Sequence, residues 1–100
     1  MNQSNVAILA TLEAKANKVE LVERFLKEAL ALAQNEQETL TWFALKLGPT
    51  TFGIFDTFAD DSGRQKHLQG KIAAALMESA DELLSTAPNI SQVEVLAAKD

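Results

Sequence analysis

The chain has 100 residues, the length of one domain with a modest hydrophobic core, and we predict a single domain over residues 1–100. Its formal net charge of −5 argues against binding to nucleic acid or to an anionic membrane surface. The sequence has no cysteine, which excludes disulfides, thiolate catalysis and cysteine metal sites within it.

The sequence also gives no sign of a targeting or membrane-spanning segment. Residues 1–15 lack a basic segment before their short apolar run, so they do not read as a signal peptide. No apolar run approaches the roughly 20 residues that span a bilayer. Together with the absence of cysteine, these features predict a cytoplasmic protein.

The first two predicted elements are a strand and a helix. Val6–Glu13 is predicted as a strand that is apolar on both faces. Residues 15–17 follow as a turn, and residues 18–34 are predicted as a helix before the polar connector 35–38. The apolar stripe of the helix consists of Val19, Val22, Phe25, Leu26, Ala29, Leu30 and Ala33.

Residues 39–58 are predicted as two strands joined at Gly48-Pro49. Their apolar side chains fall on both faces, whereas a sheet with one face in water would show a cleaner alternation. Both faces of this sheet are therefore predicted to be covered. A chain of 100 residues supplies helices for only one face, so a second copy of the chain is expected to cover the other.

The remaining elements are a broken helix and a last strand. Residues 59–63 form a loop with N-cap candidates, and Gly70 is predicted to divide the helical region into residues 64–69 and 71–84. Pro88 closes this region, and residues 90–98 are predicted as the last strand.

The element order βαββαβ predicts an α+β, ferredoxin-like fold. Right-handed crossovers place both helices on one face of a four-stranded antiparallel sheet. The opposite face would be a large apolar patch, so we predict a homodimer formed through the sheet face, a dimeric α+β barrel. A small-molecule pocket can then lie between the sheet and its own helices.

Two segments carry a resemblance to a known family. Residues 39–70, TLTWFALKLGPTTFGIFDTFADDSGRQKHLQG, and residues 7–30, AILATLEAKANKVELVERFLKEAL, resemble the antibiotic biosynthesis monooxygenase (quinol monooxygenase-like) superfamily. Many members have a carboxylate on the third strand, an aromatic residue two positions later and a histidine on the following helix. Asp56, Phe58 and His67 stand at these positions, with aspartate for the more usual glutamate and phenylalanine for the more usual tryptophan.

The resemblance makes His67 and Asp56 the candidate catalytic pair. A histidine beside a carboxylate can act as a general base near neutral pH, or the pair can be a structural hydrogen bond that ties the helix to the strand. If Asp56 is buried it needs partners, and His67 and Arg64 are the nearest candidates in sequence. The alternative is an exposed strand end.

Four further residues are candidates for binding an aromatic substrate. Trp42, Phe52 and Phe58 can wall a pocket for a flat molecule, or they can belong to the core. Arg64 can contact an anion or phenolate at the pocket mouth, or it can be a solvated residue at a helix start. Asp60-Asp61 is a poor metal site without further ligands, and we predict no metal and no cofactor.

The resemblance implies a cofactor-independent monooxygenase that oxidises a quinol-like or polyphenolic aromatic. The alternative is a non-catalytic module that binds small molecules. A haem-binding branch of the superfamily places its histidine further along the second helix, but residues 71–76 (KIAAAL) contain none.

Overall fold

The computed structural model describes residues 3–99 and has the predicted ferredoxin-like α+β fold. The order βαββαβ is confirmed, with its second helical region divided at Gly70 as expected. In chain order the elements are β1 (Val6–Glu13), α1 (Val19–Gln34), β2 (Thr39–Lys46), β3 (Thr51–Phe58), α2 (Asp61–Leu68), α3 (Lys71–Leu83) and β4 (Asn89–Glu94).

The four strands form one antiparallel sheet in the order β2-β3-β1-β4. The register places Asp56 of β3 between Ile8 of β1 and Trp42 of β2. Since side chains alternate between the faces of a strand, residues paired across the sheet share one face. This face packs against the helices and holds the core.

The core consists of two adjoining clusters between the sheet and helices α1 and α3. Trp42 packs against both clusters and so joins them. Leu30, predicted to belong to the stripe of α1, is instead exposed. The buried residues that the two helices contribute are Val22, Leu26, Ala29 and Ala33 from α1, and Ile72, Leu76 and Ala80 from α3.

Helix α2 begins at Asp61, three residues before the predicted start at residue 64. The reason is its N-cap, because the side chain of Asp60 accepts a hydrogen bond from the Gly63 N–H at 3.0 Å. The cap offsets the weak helix propensity of the residues that follow it. The N-cap predicted within residues 59–63 is therefore confirmed.

Strand β4 ends at Glu94, so the prediction that it continues to residue 98 is wrong. The Val95 N–H still donates to the Asn5 carbonyl at 3.0 Å, but β1 begins at Val6 and offers no ladder partner beyond that point. Leu96 accordingly lies 94% exposed. An apolar, alternating sequence does not make a strand where the neighbouring strand has ended.

The sheet face away from the helices, here called the outer face, is apolar and exposed. It carries Leu9, Phe43 and Leu45, and Leu47 just beyond β2 lies on the same side. Phe43 is 52% exposed and Leu47 is 55% exposed. The predicted apolar outer face is therefore present. Within residues 3–99, no helix is long and apolar enough to cross a membrane.

We expect Leu12→Ala to lower the free energy of unfolding by about 2–5 kcal/mol, because it leaves a cavity in the core where Leu12 is fully buried. Urea denaturation followed by circular dichroism measures this change. Leu96→Ala, the same substitution at an exposed position, should change stability by no more than about 0.5 kcal/mol. Equal losses in the two variants would contradict the placement of the core.

Candidate functional site

Asp56 is a carboxylate buried in the middle of the sheet, with 0% of the residue exposed. Strand β3 presents it on the helix-facing side between Ile8 and Trp42. Its Oδ2 lies 2.9 Å from Nε2 of His67, an ion-pair contact that is out of line for a hydrogen bond. Its Oδ1 has no hydrogen-bond partner among residues 3–99. Asp56 is therefore a buried carboxylate and does not lie at an exposed strand end.

His67 lies in the last turn of α2, and its ring occupies the space between the helix and β3. The ring of Phe58 packs against it with centroids 5.3 Å apart and planes inclined by 45°. The side chain of His67 is only 8% exposed. The expected juxtaposition of His67 and Asp56 is thus present, and Phe58 adds an aromatic wall to it.

Glu36 is the third member of this cluster, and no motif or spacing in the sequence pointed to it. It comes from the connector between α1 and β2, and its Oε1 lies 2.6 Å from Nδ1 of His67. The hydroxyl of Thr39 donates to the same oxygen at 2.7 Å. Glu36 is one of two glutamates in the connector, and nothing in the sequence distinguishes it from Glu38.

The two carboxylates determine the charge of His67. Burial lowers the pKa of the ring, but the attraction of Asp56 and Glu36 outweighs it, so the pKa is raised above its ordinary value of 6.5. A neutral imidazole has one N–H and one lone pair. Since each ring nitrogen faces a carboxylate, only the protonated ring presents an N–H to both.

A cavity of about 130 Å³, here called the inner cavity, lies between the sheet and helices α2 and α3. Asp56 and His67 are its ionisable lining residues, and the rest of its wall is aliphatic or a thioether. The side chains that form this apolar wall are Ile8, Ala10, Ile54, Leu68, Ile72, Ala73, Leu76, Met77 and Ile90.

A second cavity of about 320 Å³, here called the outer cavity, lies on the Glu36 side of the same histidine. It is lined by both connector glutamates and by Lys66 and Lys71, so its wall carries more charged groups than that of the inner cavity. His67 lines both cavities and therefore lies between them.

The predicted aromatic walls are not at the inner cavity. Phe58 touches His67 but is fully buried. Phe52 is a core residue near the beginning of β3, where it lines a separate groove. The ammonium group of Lys46 lies 5.6 Å from its ring. Trp42 packs into the core, and its buried Nε1 has no partner among the described residues.

Arg64 is occupied by contacts that hold α2 to the sheet. One guanidinium nitrogen donates to the carbonyls of Ala7 and Val93 at 3.3 and 3.1 Å, and another pairs with Asp61 at 2.8 Å. The side chain is 13% exposed and lines neither the inner nor the outer cavity. Arg64 therefore holds α2 to the sheet and is not a solvated residue at a helix start.

The ionisable groups of the site do not form a metal centre. Across residues 3–99, no group of three histidine, aspartate or glutamate side chains is arranged to hold a metal ion. In the cluster described here both carboxylates face the ring nitrogens of His67. The arrangement suits the sharing and transfer of a proton rather than the ligation of a cation.

Solved structures similar to this chain span nearly its whole length. The NE2512 protein of unknown function from Nitrosomonas europaea is 54% identical, with a TM-score of 0.95 over 99% of this chain and 96% of that one. A "putative antibiotic biosynthesis monooxygenase" from Deinococcus radiodurans is 20% identical, with a TM-score of 0.81 over 95% and 96% of the two chains. One so named from Nitrosomonas europaea is 11% identical, with a TM-score of 0.81 over 96% and 95%. No protein-family profile and no curated protein sequence matches the chain.

The raised pKa of His67 makes stability depend on pH. Because the ring binds its proton more tightly in the folded chain, this stabilisation is complete below the unfolded pKa of about 6.5 and is lost as pH rises through the folded pKa. We expect the unfolding free energies of the wild type and His67→Gln to differ most in mildly acidic solution and to converge in alkaline solution. Urea denaturation at a series of pH values measures the difference. A gap that widens with rising pH would contradict the assignment.

Proposed function

We propose that this chain, which belongs to the same family as the NE2512 protein of Nitrosomonas europaea and has the fold of the antibiotic biosynthesis monooxygenase-like proteins, is a cofactor-independent monooxygenase that oxidises a quinol-like aromatic molecule. The family relative has no assigned function. The proposal therefore depends on the site of this chain itself.

The observation that carries the proposal is the unpartnered Oδ1 of Asp56 at an apolar cavity. A fully buried carboxylate oxygen without a hydrogen bond is costly, and a ligand hydroxyl that donates to it would remove that cost. The cavity that Asp56 lines has an otherwise mostly aliphatic wall, which favours a ligand that is apolar apart from its hydroxyl groups. A phenol or hydroquinone has this combination.

The volume of the inner cavity limits the size of the ligand. An apolar cavity of about 150 Å³ in another protein holds a benzene molecule. The inner cavity has about 130 Å³, so it matches a single six-membered ring. We therefore narrow the proposed substrate to a single-ring hydroquinone or phenol. A polycyclic polyphenol would require α2 and α3 to move apart.

In the proposed reaction the ligand hydroxyl gives its proton to Asp56, and the charged ring of His67 stabilises the resulting anion. The electron-rich anion then reduces oxygen. The substrate gains one oxygen atom and loses two hydrogen atoms, and the second oxygen atom leaves as water. The substrate itself supplies all the electrons that oxygen accepts, so no separate reductant is required.

We also propose that the protein is a homodimer whose subunits meet through the outer face. The support is the exposure of Leu9, Phe43, Leu45 and Leu47 on one side of the sheet. A contiguous apolar surface of this kind is rarely left in water by a monomer. We further propose that residues 1–100 act as one domain and that the protein is cytoplasmic, the latter resting on the cysteine-free sequence.

We expect the protein to consume oxygen with single-ring hydroquinones and Asp56→Asn to lower the rate by about 10²- to 10⁴-fold, because the amide keeps the shape of the carboxylate but is no base. An oxygen electrode measures the rate, and Asp81→Asn at an exposed position of α3 is the matched control. Thermal stabilisation by phenols without oxygen consumption would instead support a non-catalytic binding module. Neither stabilisation nor oxygen consumption would remove both functions.

The dimer has its own test. We expect Phe43→Glu to convert the protein from two subunits to one at micromolar concentration, because it places a charge in the proposed interface. Leu30→Glu, which adds the same charge to an exposed leucine of α1, should remain a dimer. Sedimentation equilibrium gives both masses. A wild-type protein that sediments as a folded monomer would rule out the interface.

A further inference from the structure

We propose that Glu36 is a positioning residue that keeps the proton shared by Asp56 and His67 on the histidine ring, so that Asp56 remains a carboxylate able to accept a proton in the inner cavity. This inference rests on the proposed function, in which Asp56 is the base. It adds a third residue from a connector to the pair formed by a strand and a helix.

One proton can be placed in two ways on the pair formed by Asp56 and His67. Either the ring is charged and Asp56 is a carboxylate, or the ring is neutral and Asp56 is a carboxylic acid. Low dielectric surroundings favour the arrangement without charges. Asp56 has no exposed surface and faces an aliphatic cavity, so an isolated pair in this place would tend towards the neutral arrangement. A neutral Asp56 could no longer accept a ligand proton.

Glu36 reverses that tendency through its contact with the other ring nitrogen. Its Oε1 lies 2.6 Å from Nδ1, so a charged ring donates a charge-assisted hydrogen bond to it. The same contact fixes a proton on Nδ1, which turns Nε2 towards Asp56 at 2.9 Å. The Thr39 hydroxyl holds the Glu36 oxygen in place at 2.7 Å.

Glu36 is the most exposed of the three groups. Its side chain is 20% exposed, against 8% for His67 and 0% for Asp56. It lines the polar outer cavity, where water can solvate its second oxygen. The exposed fraction of the side chain thus rises from Asp56 through His67 to Glu36.

The other charged groups near His67 do not take this role. Lys66 lines the outer cavity but pairs with Glu38 at 3.6 Å, and Lys71 lies at the same cavity at the start of α3. Arg64 turns away to the sheet and Asp61. Among residues 3–99, Asp56 and Glu36 are the carboxylates that pair with the ring.

His67 is the only histidine in the sequence, so its ring gives the only imidazole signals of a protein labelled with ¹⁵N-histidine. Nuclear magnetic resonance then reports directly how many protons the ring carries as pH is varied. In the wild type we expect the titration midpoint of the ring to lie above the ordinary histidine pKa of 6.5, because two carboxylates face the ring nitrogens. In Glu36→Gln, whose amide oxygen can still accept from Nδ1, we expect the titration midpoint to move to lower pH.

Glu38→Gln is the matched control. It removes the same charge from the same connector and the same cavity, but Glu38 has no contact with the ring. We expect its midpoint to stay at the wild-type value. If Glu36 served only to hold the chain together, Glu36→Gln would lose stability while its ring titrated as in the wild type, and the inference would be overturned. An equal shift in Glu38→Gln would overturn it as well.

The measurement on the wild type guards against a variant that does not fold. A wild-type ring whose titration midpoint lies at or below 6.5 refutes the inference without any variant. The titration is measured on the protein without substrate. Absence of oxygen consumption would therefore contradict the proposed function but would not affect the titration result. If hydroquinone oxidation is found, the acidic limb of its pH profile should move in Glu36→Gln and not in Glu38→Gln.

Discussion

The compensation of one buried carboxylate is the constraint on which the site depends. Asp56 stands in the middle of a sheet without any exposed surface, where an ionised group without partners would be strongly destabilising. His67 is the group that faces it, and Glu36 supports the charge on His67 from the other side. Oδ2 of Asp56 has the ion-pair contact with His67, and neither carboxylate oxygen accepts a hydrogen bond from another side chain or backbone group of residues 3–99.

The fold brings these three residues together from three different places. Strand β3 places Asp56, the Asp60 cap starts α2 so that His67 falls in its last turn, and the connector after α1 supplies Glu36. Gly70 then ends α2 and begins α3 against the same connector. A Cβ atom at this position would lie 3.2 Å from the His67 carbonyl oxygen and 3.3 Å from Glu36 Oε2. The absence of a side chain at Gly70 thus leaves room for the Glu36 carboxylate.

The two faces of the sheet differ in what covers them. The helix-facing side contains the core and the inner cavity, while the outer face carries exposed apolar side chains. Packing on the outer face is close at Gly53, because a Cβ atom there would lie 3.2 Å from the Leu47 side chain and 3.3 Å from the Ala10 carbonyl. The ladder between β2 and β3 is irregular between Thr39 and Thr41 and regular at Gly53. A chain of 100 residues supplies helices for only one face of the sheet, so the other face stays uncovered within the chain.

The order of apolar and polar residues was enough to predict the four strands and the helices, because these follow from local periodicity, and the low helix propensity of glycine predicted the break at Gly70. The pairing of Asp56 with His67 was expected from the family resemblance and not from periodicity. What the tertiary structure decided were relations between distant segments. It placed Arg64 on two strand carbonyls, ended β4 where β1 offered no further partner, and chose Glu36 rather than Glu38 for the histidine. These outcomes depend on distances across the fold, and a one-dimensional pattern carries no information about which polar side chain a connector will turn inwards.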